Sequence, residues 1–440
     1  MGSDDAPGDT GPDDSGRVLD RLRATIRATP GLGRLVTVRF ASQFGDGMFQ
    51  AALGGAILFN PERHTDPLAI AAGFAVLLLP YSVIGPFAGA LLDRWDRRAV
   101  LMWANLLRGS LLLAAAACLI GGAPNAPVLI LALTAVGVSR FVLAGVSASL
   151  PHVVRNSWLV STNSVLATVG SGISAAGAGT AVTLIAVLGT GDRSSGITVA
   201  VAAIASVVGA VAASGFAPHR LGPGDTHGGP TGSAAVRAVA SGLRTGAVAV
   251  WQAPGVTSAM IGIGVHRIVF GIDTLLMVLL LRDPHTGDGL PAGLAGFGVA
   301  VGATAAGMLL AAVATPLLIP RLGRTRTVVL GLGVALLVQL VFIAALTQGS
   351  LLVGAFLLGL AGQTVKLTGD AAMQIDIDDA RRGQVFALQD AVFNIAFLAA
   401  VAAAASVVAP DGRSPGLVFA GAGAYVAGLI AVAANSRRGR

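Results

Sequence analysis

The 440-residue chain is 54% apolar and only 12% charged, with a mean hydropathy of +0.78. A soluble fold cannot cover that much apolar surface, so the composition indicates membrane-spanning helices. The net charge of +7 does not indicate nucleic acid, because the arginines cap the ends of apolar runs and form no basic face.

In chain order, residues 1–16 are rich in Asp, Gly and Pro and are expected to lack ordered structure. In residues 17–34, Val18, Leu19, Leu22 and Ile26 share one helical face among Arg17, Arg21, Arg23 and Arg27, which predicts a short interfacial helix. No signal-peptide pattern opens the chain. Twelve spans follow, at 35–59, 68–92, 99–122, 127–150, 161–188, 196–217, 255–281, 292–319, 327–347, 351–372, 384–409 and 416–434. The expected domains are a tail with its interfacial helix (1–34), a six-helix bundle (35–217), a linker (218–254), a second six-helix bundle (255–434) and a tail (435–440). The linker is Gly/Pro-rich over Leu221 to Asp225 and then carries a weakly amphipathic helix from Ala234 to Val250.

Placement of the basic residues sets the expected orientation. With both termini on the cytoplasmic side, that side holds 20 of the 29 Lys and Arg, against four in the loops of the other face. The remaining five, Arg39, Arg108, Arg140, Arg267 and Lys366, fall within spans. An integral, multi-pass inner (plasma) membrane protein is expected.

The halves echo each other. A shift of 227 residues lays Asp93-Arg94-Trp95-Asp96-Arg97 on Pro320-Arg321-Leu322-Gly323-Arg324 and Asp46 on Asp273, and brings Arg140 within one residue of Lys366. An internal duplication of six helices is common among transporters.

Charges inside a bilayer are costly and need a partner or a water-filled cavity. At about 1.5 Å per residue, Asp46 lies roughly 17 Å and Arg140 roughly 15 Å from the cytoplasmic end of their spans, with Arg267 at roughly 18 Å. Lys366 lies at roughly 9 Å, with Asp370 one turn away, and Asp273 at roughly 27 Å. Arg39, Arg108, His266 and Asp390 have no obvious partner from sequence. His266 reads as a satisfied buried histidine.

Several motifs are absent. Lys366 is the only lysine and follows no glycine run, which excludes a Walker nucleotide site. Cys118, the single cysteine, forms no intrachain disulfide, and the six histidines lack metal-ligand spacing. Without a His-Glu metal motif or a Ser/His/Asp set, no enzyme, cofactor or metal is expected.

The turn between spans two and three, Gly89, Leu91, Asp93, Arg94, Arg97 and Arg98, resembles the loop motif of the major facilitator superfamily, with Asp96 where that family prefers Gly. Asp tolerates a left-handed backbone, so a tight turn is expected to survive. Ser139-Arg140-Phe141, Pro151-His152-Val153-Val154 and Arg382-Gly383-Gln384-Val385 resemble further motifs of the family. Phe44-Gly45-Asp46-Gly47 resembles span one of its macrolide-efflux-like exporters, whereas span five has Gly170, Gly172, Gly177 and Gly179 without the exporter proline.

The resemblance implies an all-α membrane protein of 12 transmembrane helices in two pseudo-symmetric six-helix bundles, working by alternating access. It implies that spans one, four, seven and ten surround a central cavity. Asp46 with Arg140 is then the expected working pair, and Arg267 a competitor for Asp46. Asp273, Lys366, Asp370 and Arg108 are further coupling or cavity residues. Gly89, Asp93, Arg94, Arg97 and Arg98 form the expected cytoplasmic gate, locked by Asp93. Few polar residues line the spans, so the expected function is proton-coupled export of a small hydrophobic or amphiphilic solute by an antiporter. The alternative is a carrier of a lipid-like or anionic metabolite, and a non-transporting membrane scaffold or sensor is more remote. The expected partners are the solute, protons and the lipid bilayer, with no nucleotide or nucleic acid, and a monomer.

Overall fold

A computed structural model describes residues 31–59, 67–92, 95–155, 158–222, 232–282, 292–409 and 411–438. The predicted helix within 17–34 falls almost wholly outside them. The elements are α1 (Leu32–Leu58), α2 (Pro67–Leu92), α3 (Arg97–Ile120), α4 (Asn125–Ser149), α5 (Leu159–Leu188), α6 (Asp192–Ser214), α7 (Gly232–Gln252), α8 (Pro254–Arg282), α9 (Gly293–Leu322), α10 (Arg324–Val338), α11 (Gln348–Asp376), α12 (Asp379–Ala405) and α13 (Pro415–Ser436). A five-residue π-helical segment, Gln339–Ile343, extends α10.

Among the described residues, ten helices are long and apolar enough to cross a membrane. They are α3 to α6 and α8 to α13. Helix α1 has the length but carries Arg34, Arg39, Gln43, Asp46 and Gln50, which lower its hydropathy. The described apolar part of α2 is Pro67–Pro80.

Helices α1 to α6 pack mainly on one another, and so do α8 to α13; between the groups, α2 against α12 is the most extensive contact. Small residues set how closely the helices approach. Gly177 of α5 lies against the backbone of Phe44 in α1, and Gly47 of α1 against that of Ser174 in α5, leaving no room for a side chain at either glycine.

One apolar cluster runs through both groups, from Met48 and Phe49 in α1 to Leu275 and Leu276 in α8 and Phe397 in α12. Toward the end of the bundle that carries Arg97, the core divides. Leu35, Leu101 and Leu150 belong to one cluster, and Met260, Met373 and Val385 to another. At the opposite end the groups are joined directly. Arg282, the last residue of α8, donates to the carbonyls of Ile57 and Leu58 at the end of α1. These carbonyls lie in the last turn of α1, so the arginine satisfies helix-end acceptors. Phe59 and Phe297 meet beside it, with ring centroids 5.5 Å apart.

Candidate functional site: paired and unpaired charges around an apolar cavity

The turn after α2 is built on Arg97. Its side chain donates to the carbonyls of Leu92 (3.2 Å), Ala148 (2.8 Å) and Leu221 (3.3 Å), and its backbone N–H to Gly222 O (3.0 Å). His152 Nδ1 is 3.5 Å from the same guanidinium. The first residues of the linker are thereby held against the turn. Arg98 donates to Ser214 O at the end of α6.

Asp96 plays a different part from the one expected. Its φ is −53°, outside the left-handed region, and its carboxylate accepts from the Arg98 N–H as the N-cap of α3. An acidic residue thus takes the position because it caps a helix. Gly89 lies in a stretch of α2 whose side chains are not described, and Asp93 and Arg94 lie outside the described residues.

The second copy of the turn uses different chemistry at equivalent places. The 227-residue shift carries Arg97 onto Arg324 and Ser149 onto Asp376. Where Arg97 bonds a carbonyl at the end of α4, Arg324 makes a 2.9 Å ion pair with Asp376 at the end of α11.

Asp46 projects from α1 toward α3, where Arg108 Nη2 lies 3.0 Å from its Oδ1. Depth alone selects Arg140 as its partner; the structure gives the ion pair to Arg108, and Arg140 acts electrostatically on the same carboxylate from α4. Arg108 is 0% exposed and is among the largest wholly buried side chains. Its Nε and Nη1 meet no acceptor among the described residues. Gly45 makes room for it, since a Cβ there would lie 2.9 Å from Arg108 Nη2 and 2.8 Å from the Cβ of Ala205. Ser42 bonds Asn105 beside the pair, at 3.2 Å. Arg39, near the Arg97 end of α1, reaches Asn163 of α5 at 3.5 Å.

In the second group the charges are arranged otherwise. Asp273 on α8 is 3% exposed; its Oδ1 accepts from Gln339 Nε2 at 2.9 Å, and its Oδ2 has no partner among the described residues. Gln339 opens the π-helical segment, a local widening of the helix often found at functional sites. One turn or more toward the Arg97 end, His266 pairs with Tyr425 at 3.0 Å. Lys366 pairs with Asp370 at 2.9 Å, and Gln389 also donates to Asp370, at 2.8 Å. Lys366 and Asp273 do not form an ion pair.

Arg267 does not reach Asp46. Its Nε donates to Phe393 O (3.1 Å), and its guanidinium carbon stands 3.8 Å from the Phe393 ring centroid, 4.7 Å from that of Phe397 and 5.3 Å from that of Phe270. These aromatic neighbours were not singled out from sequence. The signal available was Phe393 and Phe397 one turn apart on one face of α12.

Arg267 and Asp273 both line a cavity of about 390 Å³. Its walls come from both helix groups, including Gln50 of α1, Phe74 of α2, Phe297 of α9 and Phe397 of α12. A larger groove of about 960 Å³ runs past Trp95 in the turn before α3, Trp103 on α3 and Phe141 on α4. It is open along outward-facing side chains such as Trp103 and Leu107, as expected of a surface against lipid. The cavity between the groups is therefore the better candidate for a solute site. Among the described residues, no three His, Cys, Asp or Glu side chains are grouped to hold a metal ion.

Comparison with known proteins agrees with this architecture. The profile of the Major Facilitator Superfamily matches residues 35–401. Uncharacterized MFS-type transporters of Mycobacterium bovis and of Mycobacterium tuberculosis are each 44% identical over 416 residues, covering 94% of this chain and 93% of theirs. Among solved structures, a peptide transporter superposes with a TM-score of 0.67 at 16% identity, covering 93% of this chain and 95% of its own. A nucleoside transporter does so at 0.65 and 12%, covering 91% and 98%. At these identities the solved structures share the fold.

Proposed function

The chain belongs to the major facilitator superfamily and is a multi-pass membrane transporter, and from that premise we propose that it is a secondary active transporter coupling proton movement to export of a small hydrophobic or amphiphilic solute. The observation that carries the reading is the 390 Å³ cavity, apolar on most of its wall and bounded by both helix groups. Rocking of α1–α6 against α8–α13 opens it alternately to the two sides. The excess of basic residues on one face supports placing both termini in the cytoplasm of a bacterial-type plasma membrane.

Two carboxyls serve coupling in this scheme. A proton on Asp46 cancels its attraction for Arg108, releasing a contact between α1 and α3. Asp273, on the cavity wall with one oxygen unpartnered, is the second protonation point. Outward direction rests on the likeness of residues 44–47 to macrolide-efflux-like exporters. The family-like loop motif supports a cytoplasmic gate of Gly89, Asp93, Arg94, Arg97 and Arg98.

The test is flux in liposomes holding the purified protein, with an imposed pH gradient and a mixed pool of amphiphiles. Gradient-driven movement of a solute that collapses with a protonophore is expected. Flux of every solute at the rate of protein-free liposomes would sink the reading.

A further inference from the structure

Among the described residues, Arg267 is the only basic one lining the cavity. It has no carboxylate partner among the described residues. Three phenylalanines pack on its guanidinium, and one backbone carbonyl takes its Nε. Stacking engages the flat face of a guanidinium, while its N–H donors lie in the plane and point out from the edge. The Nε bond to Phe393 fixes rotation within that plane. The side chain's one hydrogen bond among the described residues is that of Nε, which leaves Nη1 and Nη2, the two groups that with a planar oxyanion form a forked grip, without an acceptor there.

Two pairs of charges within the spans are matched. Asp46 and Arg108 neutralise each other, as do Lys366 and Asp370. Asp273 is turned to Gln339. Arg267 and Asp273 both stand at the cavity without an ion-pair partner among the described residues, in a setting where uncompensated charge is costly. Apart from Asp273, Gln50, Thr274 and Thr304, the rest of the wall is apolar, with Phe74, Phe270, Phe297 and Met308 among its residues.

We infer that Arg267 is the head-group receptor of the cavity and that the transported solute is a single-chain amphiphile with an anionic carboxylate or phosphate head. This rests on the cavity being the solute site. Size limits the tail. At roughly 30 Å³ per water-sized group, the cavity holds on the order of a dozen such groups, which suits one short chain and not a two-chain lipid.

The experiment uses purified full-length protein in nonionic detergent and measures equilibrium binding of labelled decanoate, with decyl phosphate, decanol and decylammonium as competitors. Decanoate and decyl phosphate are expected to bind at least tenfold more tightly than decanol or decylammonium. Whichever of the two anions binds tighter identifies the head. Arg267→Gln should weaken decanoate at least tenfold and leave decanol within twofold, and Arg267→Lys should fall between. Should Arg267→Gln melt early without ligand, Phe393→Leu keeps the cation while removing one stacked ring, and should still weaken decanoate at least threefold with decanol unchanged. Equal binding of decanoate and decanol by the wild type, or undiminished anion preference in Arg267→Gln and Phe393→Leu, overturns the inference. The two readings fail separately. Arginine-dependent decanoate binding with no gradient-driven flux leaves the head-group receptor standing and the transport scheme refuted. Flux equally fast for neutral and anionic chains does the reverse.

Discussion

The two helix groups carry carboxylates at equivalent positions, Asp46 and Asp273, and treat them in opposite ways. Asp46 meets an arginine that is wholly buried, in a space that Gly45 leaves clear. Asp273 meets a neutral amide and keeps one oxygen without a partner, at the wall of a cavity. The arginine of its own helix turns to three phenylalanines instead. One group therefore neutralises its charge internally and is tightly packed. The other leaves Asp273 and Arg267 without an ion-pair partner among the described residues, beside open volume. Matching positions along the two halves thus hold carboxylates in unlike surroundings.

The largest effect that tests this division is removal of one member of the buried pair. Asp46→Ala strands Arg108 away from water and should cost about 3–5 kcal/mol, read as a lowered melting temperature in detergent. Asp46→Ala with Arg108→Met should recover most of that loss, since an apolar pair carries no uncompensated charge. If the double variant is no more stable than the single one, the pair does not act as a unit. Gly45→Ala comes next. Its Cβ meets Ala205 and the end of Arg108, and the overpacking should cost about 1–3 kcal/mol. Asp273→Asn keeps the shape and replaces a carboxyl whose partner is neutral, so its melting temperature should stay within the equivalent of about 1 kcal/mol. Its pH-gradient-driven flux should nevertheless fall at least tenfold. Unchanged flux would remove Asp273 from coupling, and a large loss of stability would make the two carboxylates alike after all. The smallest effect belongs to Arg324→Ala, whose half-exposed pair with Asp376 should contribute about 0–1 kcal/mol.

Much of this contrast was present in the chain before any coordinates. Apolar length located ten of the twelve expected spans among the described residues, because a bilayer constrains length strongly. Depth along a helix put Asp46, Arg140 and Arg267 at one level, yet depth says nothing about which way a side chain faces. Helix α3 brings Arg108 to Asp46 through the gap above Gly45, and a gap between helices leaves no mark in a hydropathy profile. Lys366 and Asp370 were legible because their spacing lies within one helix. The phenylalanine stack on Arg267 joins α8 to α12, more than a hundred residues apart, and depends on how those helices cross. Asp96 read as a tolerated turn residue, whereas its position one residue ahead of α3 makes it a cap.

Arg97 has a consequence for how the two groups stay together. By holding Leu221 and Gly222, it ties down the start of the connection, and nine residues of sequence, 223–231, separate that anchor from Gly232. The ten Cα-to-Cα steps from Gly222 to Gly232 reach at most about 35 Å, and a connection that short keeps joined partners at an effective concentration on the order of millimolar. Two polypeptides divided between residues 223 and 231 would keep every helix-to-helix surface and lose only that local concentration. They should still associate when made together, but their assembly should fall away on dilution, which the intact chain never experiences.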